Sequence, residues 1–266
     1  EWFGSSAAVA VDATTGVRIL AVGAPISHID GDAGAVGRVY AFDLTAALDG
    51  GAEGQLVLSA PDDAMWSVVG DEQSAKFGYS IAFGTVDGAT MVALSSPTKT
   101  VKTGLLDLRT AHHAGHIVVV PLSSLSSGEE ATLVDVQSAE AAAVVTGTSN
   151  FARLGWKMAM ADLDQDGNDE LIASAPFESC SDLSLGRLGA NCGRVNAYRF
   201  KNKLLGGVEL ELVDSAHGNE PLARFGSDLA IIGATDAGLR IAAASPLSRG
   251  EHEMTGAVLS AVLGTQ

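Results

Sequence analysis

Larger apolar residues recur with a period of two in four separate stretches of the chain. These stretches cover residues 6–11, 80–86, 157–161 and 228–232, and each begins two residues after a glycine. Alternation with a period of two places successive side chains on opposite faces of the backbone, which is typical of half-buried β-strands. We therefore predict four equivalent strands at these positions.

Further strands are predicted after each of these four. A second strand ends at a pair of small residues followed by proline, which stops a strand because it cannot donate a ladder hydrogen bond. The second strands cover residues 17–22, 90–94, 170–174 and 240–243. The third strands open on glycine and cover residues 37–42, 115–120, 193–198 and 256–261. A fourth strand is predicted at residues 55–58, 131–136 and 208–213, and none is predicted after the last unit.

The four units share one recurring phrase, which starts with Phe-Gly or Leu-Gly and ends at a proline 20 to 22 residues later. The phrase starts at Phe3, Phe77, Leu154 and Phe225, so that successive starts are 74, 77 and 71 residues apart. Such a steady period indicates a repeat architecture. Four antiparallel strands per unit predict an all-β fold made of propeller blades. A helical solenoid is disfavoured because no unit contains an extended face with a period of 3.6.

The phrase that runs from Phe3-Gly4 to Gly23-Ala24-Pro25 resembles the FG-GAP repeat. This repeat builds the propellers of integrin alpha subunits and the C-terminal region of glycosylphosphatidylinositol-specific phospholipase D. The resemblance implies a seven-bladed propeller, of which this chain would supply four blades at about residues 1–70, 71–150, 151–219 and 220–266. The last blade would lack its outer strand and expose an unpaired edge, so we expect the chain to be part of a longer protein.

Composition indicates a stably folded protein and disfavours two kinds of partner. With 266 residues, 47% of them hydrophobic, the chain can bury a large core. Its formal net charge of −16 repels nucleic-acid phosphates and anionic lipid headgroups. No apolar run reaches the roughly 18 to 20 residues of a membrane-spanning helix. We therefore expect neither a nucleic-acid partner nor direct insertion of this segment into a membrane.

The most explicit candidate chemistry lies at residues 162–170, between the first and second strands of the third unit. The sequence there is Asp-Leu-Asp-Gln-Asp-Gly-Asn-Asp-Glu. Carboxylates at alternate positions, followed by a glycine that turns the chain, place several hard oxygens around one point, as a calcium ion requires. The predicted ligands are Asp162, Asp164 and Asp166 through their side chains, Asn168 through its carbonyl and Glu170 through its carboxylate.

Of two other interpretations of this loop, the EF-hand is disfavoured and the solvated turn is open. An EF-hand would need glutamate at the twelfth position, which is occupied by Ala173. A solvated acidic turn is the simpler alternative because Asp, Asn and Gly are common in hairpins. The loop resembles the calcium hairpin of integrin-type propellers, although its ninth position, usually Asp in that family, is Glu170. The equivalent loops of the other units offer only Asp12, Asp87 and Asp236, so we expect them to close by turn chemistry alone.

Cysteine and histidine residues offer two further candidates. Cys180 and Cys192 lie in one short connection, which favours a disulfide between them and an oxidising compartment. A reduced pair in a cytosolic protein is the alternative. His112, His113 and His116 are close enough in sequence to suggest zinc or copper binding, but an exposed histidine-rich loop is the more common explanation.

The sequence contains no Gly-x-Ser-x-Gly, phosphate-binding loop or His-Glu-x-x-His signature. Two functions then remain, both extracellular or at the cell surface. One is a non-catalytic, calcium-stabilised module for adhesion or scaffolding, whose loops bind a protein partner. That partner could be a cell-surface or matrix protein or another subunit of an extracellular assembly. The other, implied by the resemblance, is the accessory propeller of a secreted phospholipase D-like hydrolase whose catalytic residues lie in another domain.

Overall fold

The protein is described by a computed structural model that covers most of the chain. The described residues are 2–28, 34–49, 58–103, 108–125, 130–138, 142–182, 187–189, 191–203, 207–235, 238–250, 253–254 and 256–264. The fold over these residues is all-β, as predicted, with two short α-helices. No helix in these ranges is both long enough and apolar enough to cross a membrane.

The first unit forms an antiparallel sheet whose strands lie in sequence order. Its strands are β1 (Ser6–Val11), β2 (Arg18–Ala24), β3 (Arg38–Asp43) and β4 (Trp66–Val69). The short helix α1 (Thr45–Asp49) follows β3. The register pairs Ser6 with Gly23 and Ala24 with Arg38, so the predicted first three strands lie side by side.

The second unit contributes a four-stranded sheet, a small ribbon and an addition to the first sheet. Its strands are β5 (Ile81–Val86), β6 (Ala89–Ser96), β7 (Val101–Thr103), β8 (Arg109–Ala111), β9 (His116–Pro121), β10 (Glu130–Thr132) and β11 (Ala143–Thr146). The main sheet has the order β11-β9-β6-β5, and β7 pairs with β8. β10 lies parallel to β4 and so extends the first sheet. A 3-10 helix (Leu122–Ser124) and α2 (Leu133–Ser138) connect these strands.

The third and fourth units repeat the same arrangement. The third contains β12 (Met158–Ala161), β13 (Glu170–Ala175), β14 (Cys180–Asp182), β15 (Arg187–Gly189), β16 (Arg194–Asn202) and β17 (Val208–His217). The fourth contains β18 (Leu229–Thr235), β19 (Gly238–Ser245), β20 (Arg249–Gly250), β21 (Glu253–Met254) and β22 (Ala257–Leu263). Their main sheets have the orders β12-β13-β16-β17 and β18-β19-β22, and β14-β15 and β20-β21 are separate two-stranded ribbons.

The four main sheets stack face to face, with a hydrophobic core in each of the three spaces between them. Alternate residues of one strand enter different cores because side chains alternate across a sheet. In β6, Val92 and Leu94 pack toward the first sheet, whereas Ala93 packs toward the third. Burial on both faces explains why the second strands are almost continuously apolar.

A recurring contact joins each unit to the next. Gly37, Gly115 and Gly193 each precede a third strand and form an isolated parallel bridge to Phe77, Leu154 and Phe225, respectively. At Gly193 the backbone has a φ of +89°, and an added Cβ would lie 2.1 Å from the carbonyl oxygen of Phe225. Only glycine allows this close approach between the two backbones.

Of the three predicted fourth strands, one lies almost wholly outside the described residues, one is largely wrong and one is confirmed. In the first unit the described fourth strand is β4, whereas residues 55–57 of the predicted strand lie outside the described residues. All four residues of β4 are buried, so this strand shows no polar alternation in the sequence.

The strand predicted at residues 131–136 is wrong from Leu133 onward, because α2 begins there. Residues 131 and 132 belong to β10, which joins the first sheet, and the fourth strand of the second sheet is β11. Thr132 and Asp135 explain the difference. The Thr132 hydroxyl accepts the Asp135 N–H at 3.2 Å, and the Asp135 carboxylate accepts the Thr132 N–H at 3.2 Å. This reciprocal capping starts a helix whose Leu133 and Val136 are buried. The third prediction is confirmed and extended by β17.

Candidate metal centre in the acidic hairpin

The acidic loop connects β12 to β13, and the pairing of Ala161 with Glu170 closes the hairpin. The Asp162 carboxylate accepts hydrogen bonds from the main-chain N–H groups of Asp166 (3.1 Å) and Gly167 (2.9 Å). Gly167 has a φ of +93°, a conformation that glycine adopts at little cost. The loop therefore folds back on Asp162, as the position of the glycine predicts.

This turn brings three of the predicted ligands together. Carboxylate oxygens of Asp162, Asp164 and Asp166 all lie within 4.8 Å of one another. Calcium–oxygen distances of about 2.3 to 2.6 Å allow ligands on opposite sides of an ion to lie about 4.6 to 5.2 Å apart. The three carboxylates thus fit one Ca²⁺ in both chemistry and spacing.

Asn168 faces the neighbouring sheet instead of the three carboxylates. Its side-chain oxygen accepts the main-chain N–H of Asp87 at 2.7 Å. The group that Asn168 could offer to a metal is therefore its main-chain carbonyl. Asp169, which the sequence does not single out, also bonds to that sheet. Its carboxylate accepts the Thr85 N–H at 2.7 Å, and its own N–H donates to the Thr85 carbonyl at 2.8 Å.

Glu170 is 1% exposed, and both of its carboxylate oxygens are already engaged. Oε2 accepts the Leu163 N–H at 2.8 Å, and Oε1 accepts Nε–H of Arg199 at 3.2 Å. Burial, the largest influence, raises the pKa of Glu170, while the bonds from Leu163 and Arg199 lower it. Glu170 thus stabilises the loop through its bonds to Leu163 and Arg199. Its role as a direct metal ligand stays a prediction.

Arg199 is a site residue that the local motif could not reveal. It comes from β16, and its guanidinium bonds to both Asp164 and Glu170. Two of the acidic groups of the loop therefore have a cationic partner within the protein. Arg199 lies near the hairpin because the second and third strands pair antiparallel. The sequence indicates this proximity only through the prediction that these two strands are neighbours.

The first hairpin shows how an equivalent turn closes with one carboxylate. Asp12 accepts a hydrogen bond from the Thr15 hydroxyl and one from the Thr14 N–H at 3.3 Å. The bond from Thr15 is the main cause that lowers the pKa of Asp12. In the second hairpin Asp87 and Gly88 both have positive φ, at 50° and 75°, which suits a two-residue hairpin turn. Asp236 lies outside the described residues.

The histidine cluster does not converge on a metal site. His116 is buried in β9, and burial is the main cause that lowers its pKa to about 4. The ring of His113 packs against Phe151 instead, with centroids 5.5 Å apart. Among the residues that the structure describes, the three aspartates are the one group of three or more His, Cys, Asp or Glu side chains that could hold a metal ion.

For the predicted disulfide, the structure describes the side chain of only one of the two cysteines. Cys192 is 1% exposed and is not a free thiol. The backbone of Cys180 pairs with Gly189 in the β14-β15 ribbon, but its side chain lies outside the described residues. The pairing of Cys180 with Cys192 stays a prediction.

The chain is similar to curated phospholipases over part of their length. It is 27% identical over 224 residues to the phosphatidylinositol-glycan-specific phospholipase D of Homo sapiens, which covers 77% of this chain and 23% of that protein. It is 38% identical over 109 residues to the enzyme of the same name from Rattus norvegicus, covering 40% of this chain and 12% of that protein. No protein-family model matches the chain. The chain thus spans less than a quarter of the length of these relatives, and it shows sequence similarity to a segment of them.

Proposed function

We propose that the chain forms four consecutive blades of a seven-bladed FG-GAP propeller. The repeated bridges from Gly37, Gly115 and Gly193 support this arrangement, because each links one unit to the next in the same way. The first strands also follow one another in space: β1 contacts β5, β5 contacts β12, and β12 contacts β18. Apolar side chains remain exposed at both ends of the stack, where further blades would cover them. Examples are Val9 at 65% and Val258 at 74% exposure.

The third hairpin is proposed to bind one Ca²⁺. The observation that carries this proposal is the convergence of Asp162, Asp164 and Asp166 within 4.8 Å. The ion would supply positive charge that offsets the mutual repulsion of these carboxylates. Asp169 joins the same loop to the second sheet. An ion that fixes the loop would therefore also stabilise the contact between the two sheets, which is a structural role.

This propeller is proposed to be the non-catalytic part of an extracellular protein related to phosphatidylinositol-glycan-specific phospholipase D. The similarity to a segment of those relatives supports this assignment. Within such a protein the blades would contribute adhesion or scaffolding through a protein partner bound at their loops. The buried Cys192, which is not a free thiol, agrees with a disulfide to Cys180 in an oxidising compartment.

Calorimetric titration with Ca²⁺ tests the metal proposal. The best variant is Asp166→Asn, because asparagine keeps an oxygen that can accept the Asn168 N–H, which lies 2.8 Å from Asp166 Oδ1. We expect one site in the parent and an affinity at least about tenfold weaker in the variant, since affinity depends on the number of charged ligands. Asp228→Asn is the matched control, because Asp228 is exposed and lies in another unit. Equal affinity in all three proteins would refute the site.

The proposed non-catalytic role of the propeller is tested separately, in the longer protein that would contain this chain and a catalytic domain. Asp166→Asn in that protein should leave hydrolysis of a phosphatidylinositol-glycan substrate unchanged for each folded molecule. Loss of hydrolysis in a folded variant would instead show that this hairpin takes part in the reaction.

A further inference from the structure

Three successive units place a cation two residues before the glycine of their Phe-Gly or Leu-Gly pair. These residues are Lys76, Arg153 and Arg224, and each has a left-handed backbone, with φ of 59°, 59° and 56°. Since the residues are equivalent in neighbouring units, the repeat places them along the same rim of the stack. The rim is distinct from the acidic hairpin, which lies between the first and second strands.

Aromatic rings fill the spaces between these cations. The Tyr79 and Trp156 rings lie 4.7 Å apart, and the Trp156 and Phe177 rings lie 5.4 Å apart. The Arg153 guanidinium lies 4.2 Å from the centre of the Phe177 ring, and the Arg224 guanidinium lies 4.9 Å from the same centre. Lys76 lies 5.9 Å from the Tyr79 ring. We call these six side chains the basic aromatic row: Lys76, Tyr79, Arg153, Trp156, Phe177 and Arg224.

The row has no acidic counterpart among the described residues. None of its three cations is within ion-pair distance of a carboxylate there, although the chain has 32 acidic and only 16 basic residues. Other arginines do find acids: Arg38 pairs with Glu130, and Arg199 with Asp164 and Glu170. Other basic residues, such as Arg194 and Arg240, also form no ion pair within the described ranges, but the three cations of the row occupy equivalent positions in successive units and lie against aromatic rings.

The two arginines of the row also retain unused hydrogen-bond donors. The Nε atoms of Arg153 and Arg224 are buried and have no acceptor within the described part of the chain. Arg38 and Arg194 also have a buried Nε without an acceptor, but their guanidinium groups bond to Tyr40 and Ser215. No side-chain hydrogen bond of Arg153 or Arg224 occurs among the described residues, so these two guanidinium groups retain donors for an acceptor that binds at the row. Burial is the main cause that lowers the pKa of Arg153, and the charge of Arg224 adds to it. The two cations are thus close enough to repel each other, and a bound anion would relieve that repulsion.

The chemistry of the row defines the class of ligand. Guanidinium groups donate parallel N–H bonds to tetrahedral or planar oxyanions, and they do so most strongly when partly removed from water. The rings beside them offer apolar surface to the organic part of a ligand. A long polyanion is disfavoured by the net charge of −16. We propose that the basic aromatic row binds a small sulfate or phosphate monoester, whose oxyanion accepts hydrogen bonds from Arg153 and Arg224.

The test is an NMR titration of the 266-residue chain with phenyl phosphate, phenyl sulfate and neutral phenol. We expect the esters to shift the indole N–H signal of Trp156 and the Nε–H signals of Arg153 and Arg224, and phenol to shift them far less. Tighter binding of the phosphate or of the sulfate would then identify which ester the site prefers. If neither ester shifts these signals, or if phenol binds as well as the esters do, the proposal is overturned.

Variants separate a binding site from a merely structural stack. Arg153→Gln and Arg224→Gln should each weaken ester binding by about tenfold, the effect of losing a charge-assisted hydrogen bond. Arg240→Gln is the matched control, since Arg240 is exposed on β19 and lies outside the row. Equal weakening by Arg240→Gln would show unspecific attraction and refute the site. Arg224→Lys keeps the positive charge and replaces the glutamine variants in this test if they do not fold. It should still weaken binding, because an ammonium group lacks the planar donor pair.

Discussion

Asp169 and Thr85 exchange two hydrogen bonds across neighbouring sheets. The Asp169 N–H donates to the Thr85 carbonyl at 2.8 Å, and the Thr85 N–H donates to the Asp169 carboxylate at 2.7 Å. Gly84 leaves room for this contact, because a Cβ there would lie 2.9 Å from the same carboxylate oxygen. The acidic hairpin of the third sheet is therefore attached to the end of the first strand of the second sheet.

Asp169→Ala should reduce the free energy of unfolding by about 1.5 to 3 kcal/mol, because it removes a charged acceptor and leaves the Thr85 N–H unpaired. Urea denaturation measures this change. Asp228→Ala is the control. Asp228 forms an exposed ion pair with Lys157 and accepts the exposed Leu229 N–H at 3.1 Å, so its loss should cost less than about 1 kcal/mol. Similar losses in both variants would mean that the contact between Asp169 and Thr85 contributes little.

Gly193→Ala should destabilise the protein far more than Gly16→Ala. Both glycines have positive φ, at +89° and +74°, so both substitutions carry the cost of a left-handed backbone, about 1 to 2 kcal/mol. Only at Gly193 would the new Cβ approach another backbone, at 2.1 Å from the Phe225 oxygen, whereas Gly16 is in open space. We expect Gly193→Ala to cost about 3 kcal/mol or more in urea denaturation. Equal costs would show that the bridge between units is dispensable.

His116 should make stability depend on pH below neutrality. Its folded pKa is about 4, lowered mainly by burial and further by Lys99, against the raising effects of Asp71 and Gln137. A histidine whose folded pKa lies below its unfolded value favours folding above the unfolded pKa of about 6.5. That contribution is lost as the pH falls from about 6.5 to 4.

The measurement compares the free energies of unfolding of the parent and His116→Gln at pH values near 7 and 4.5. The difference between the two proteins should shift by about 2 to 3 kcal/mol against the parent as the pH falls. His28→Gln is the control, because His28 is exposed. A constant difference between the parent and His116→Gln at both pH values would contradict the prediction.

Arg199→Gln should lower stability and raise calcium affinity, and the second effect rests on the proposed metal site. Stability falls because Glu170, at 1% exposure, loses its charged partner, with an expected cost of about 1.5 to 3 kcal/mol. Affinity rises because Asp164 is released from its ion pair. Denaturation and calorimetry measure the two effects. Lys201→Gln, which breaks an exposed pair with Glu211, should change neither by much. Weaker calcium binding by Arg199→Gln would contradict the ligand role of Asp164.

The sequence predicts the parts of the fold that local patterns determine. The first three strands of each unit are confirmed, because alternation, glycine and proline mark their positions. The sequence does not predict β4, since Trp66 and its neighbours are buried on both faces and show no alternation. The strand predicted around Ala131 is replaced in part by α2, because the Thr132 and Asp135 side chains cap a helix.

In the candidate site, too, the sequence predicts the local contacts and not the distant ones. Asp162, Asp164 and Asp166 are brought together by a turn within nine residues, so spacing alone predicts their convergence. Two other contacts join residues that are far apart in the sequence: the hydrogen bond from Arg199 to Glu170 and the one from Thr85 to Asp169. Such contacts follow only from the register of neighbouring strands and sheets.

Thermal unfolding with and without calcium tests the central claim most directly. With Ca²⁺ at about a hundred times its dissociation constant, binding adds about 2.7 kcal/mol, so the Tm of the parent should rise by about 5 to 10 °C above its value in chelator. Asp166→Asn should show little of this rise, and Asp228→Asn should show all of it. A parent whose Tm is the same in calcium and in chelator would contradict a calcium-stabilised hairpin.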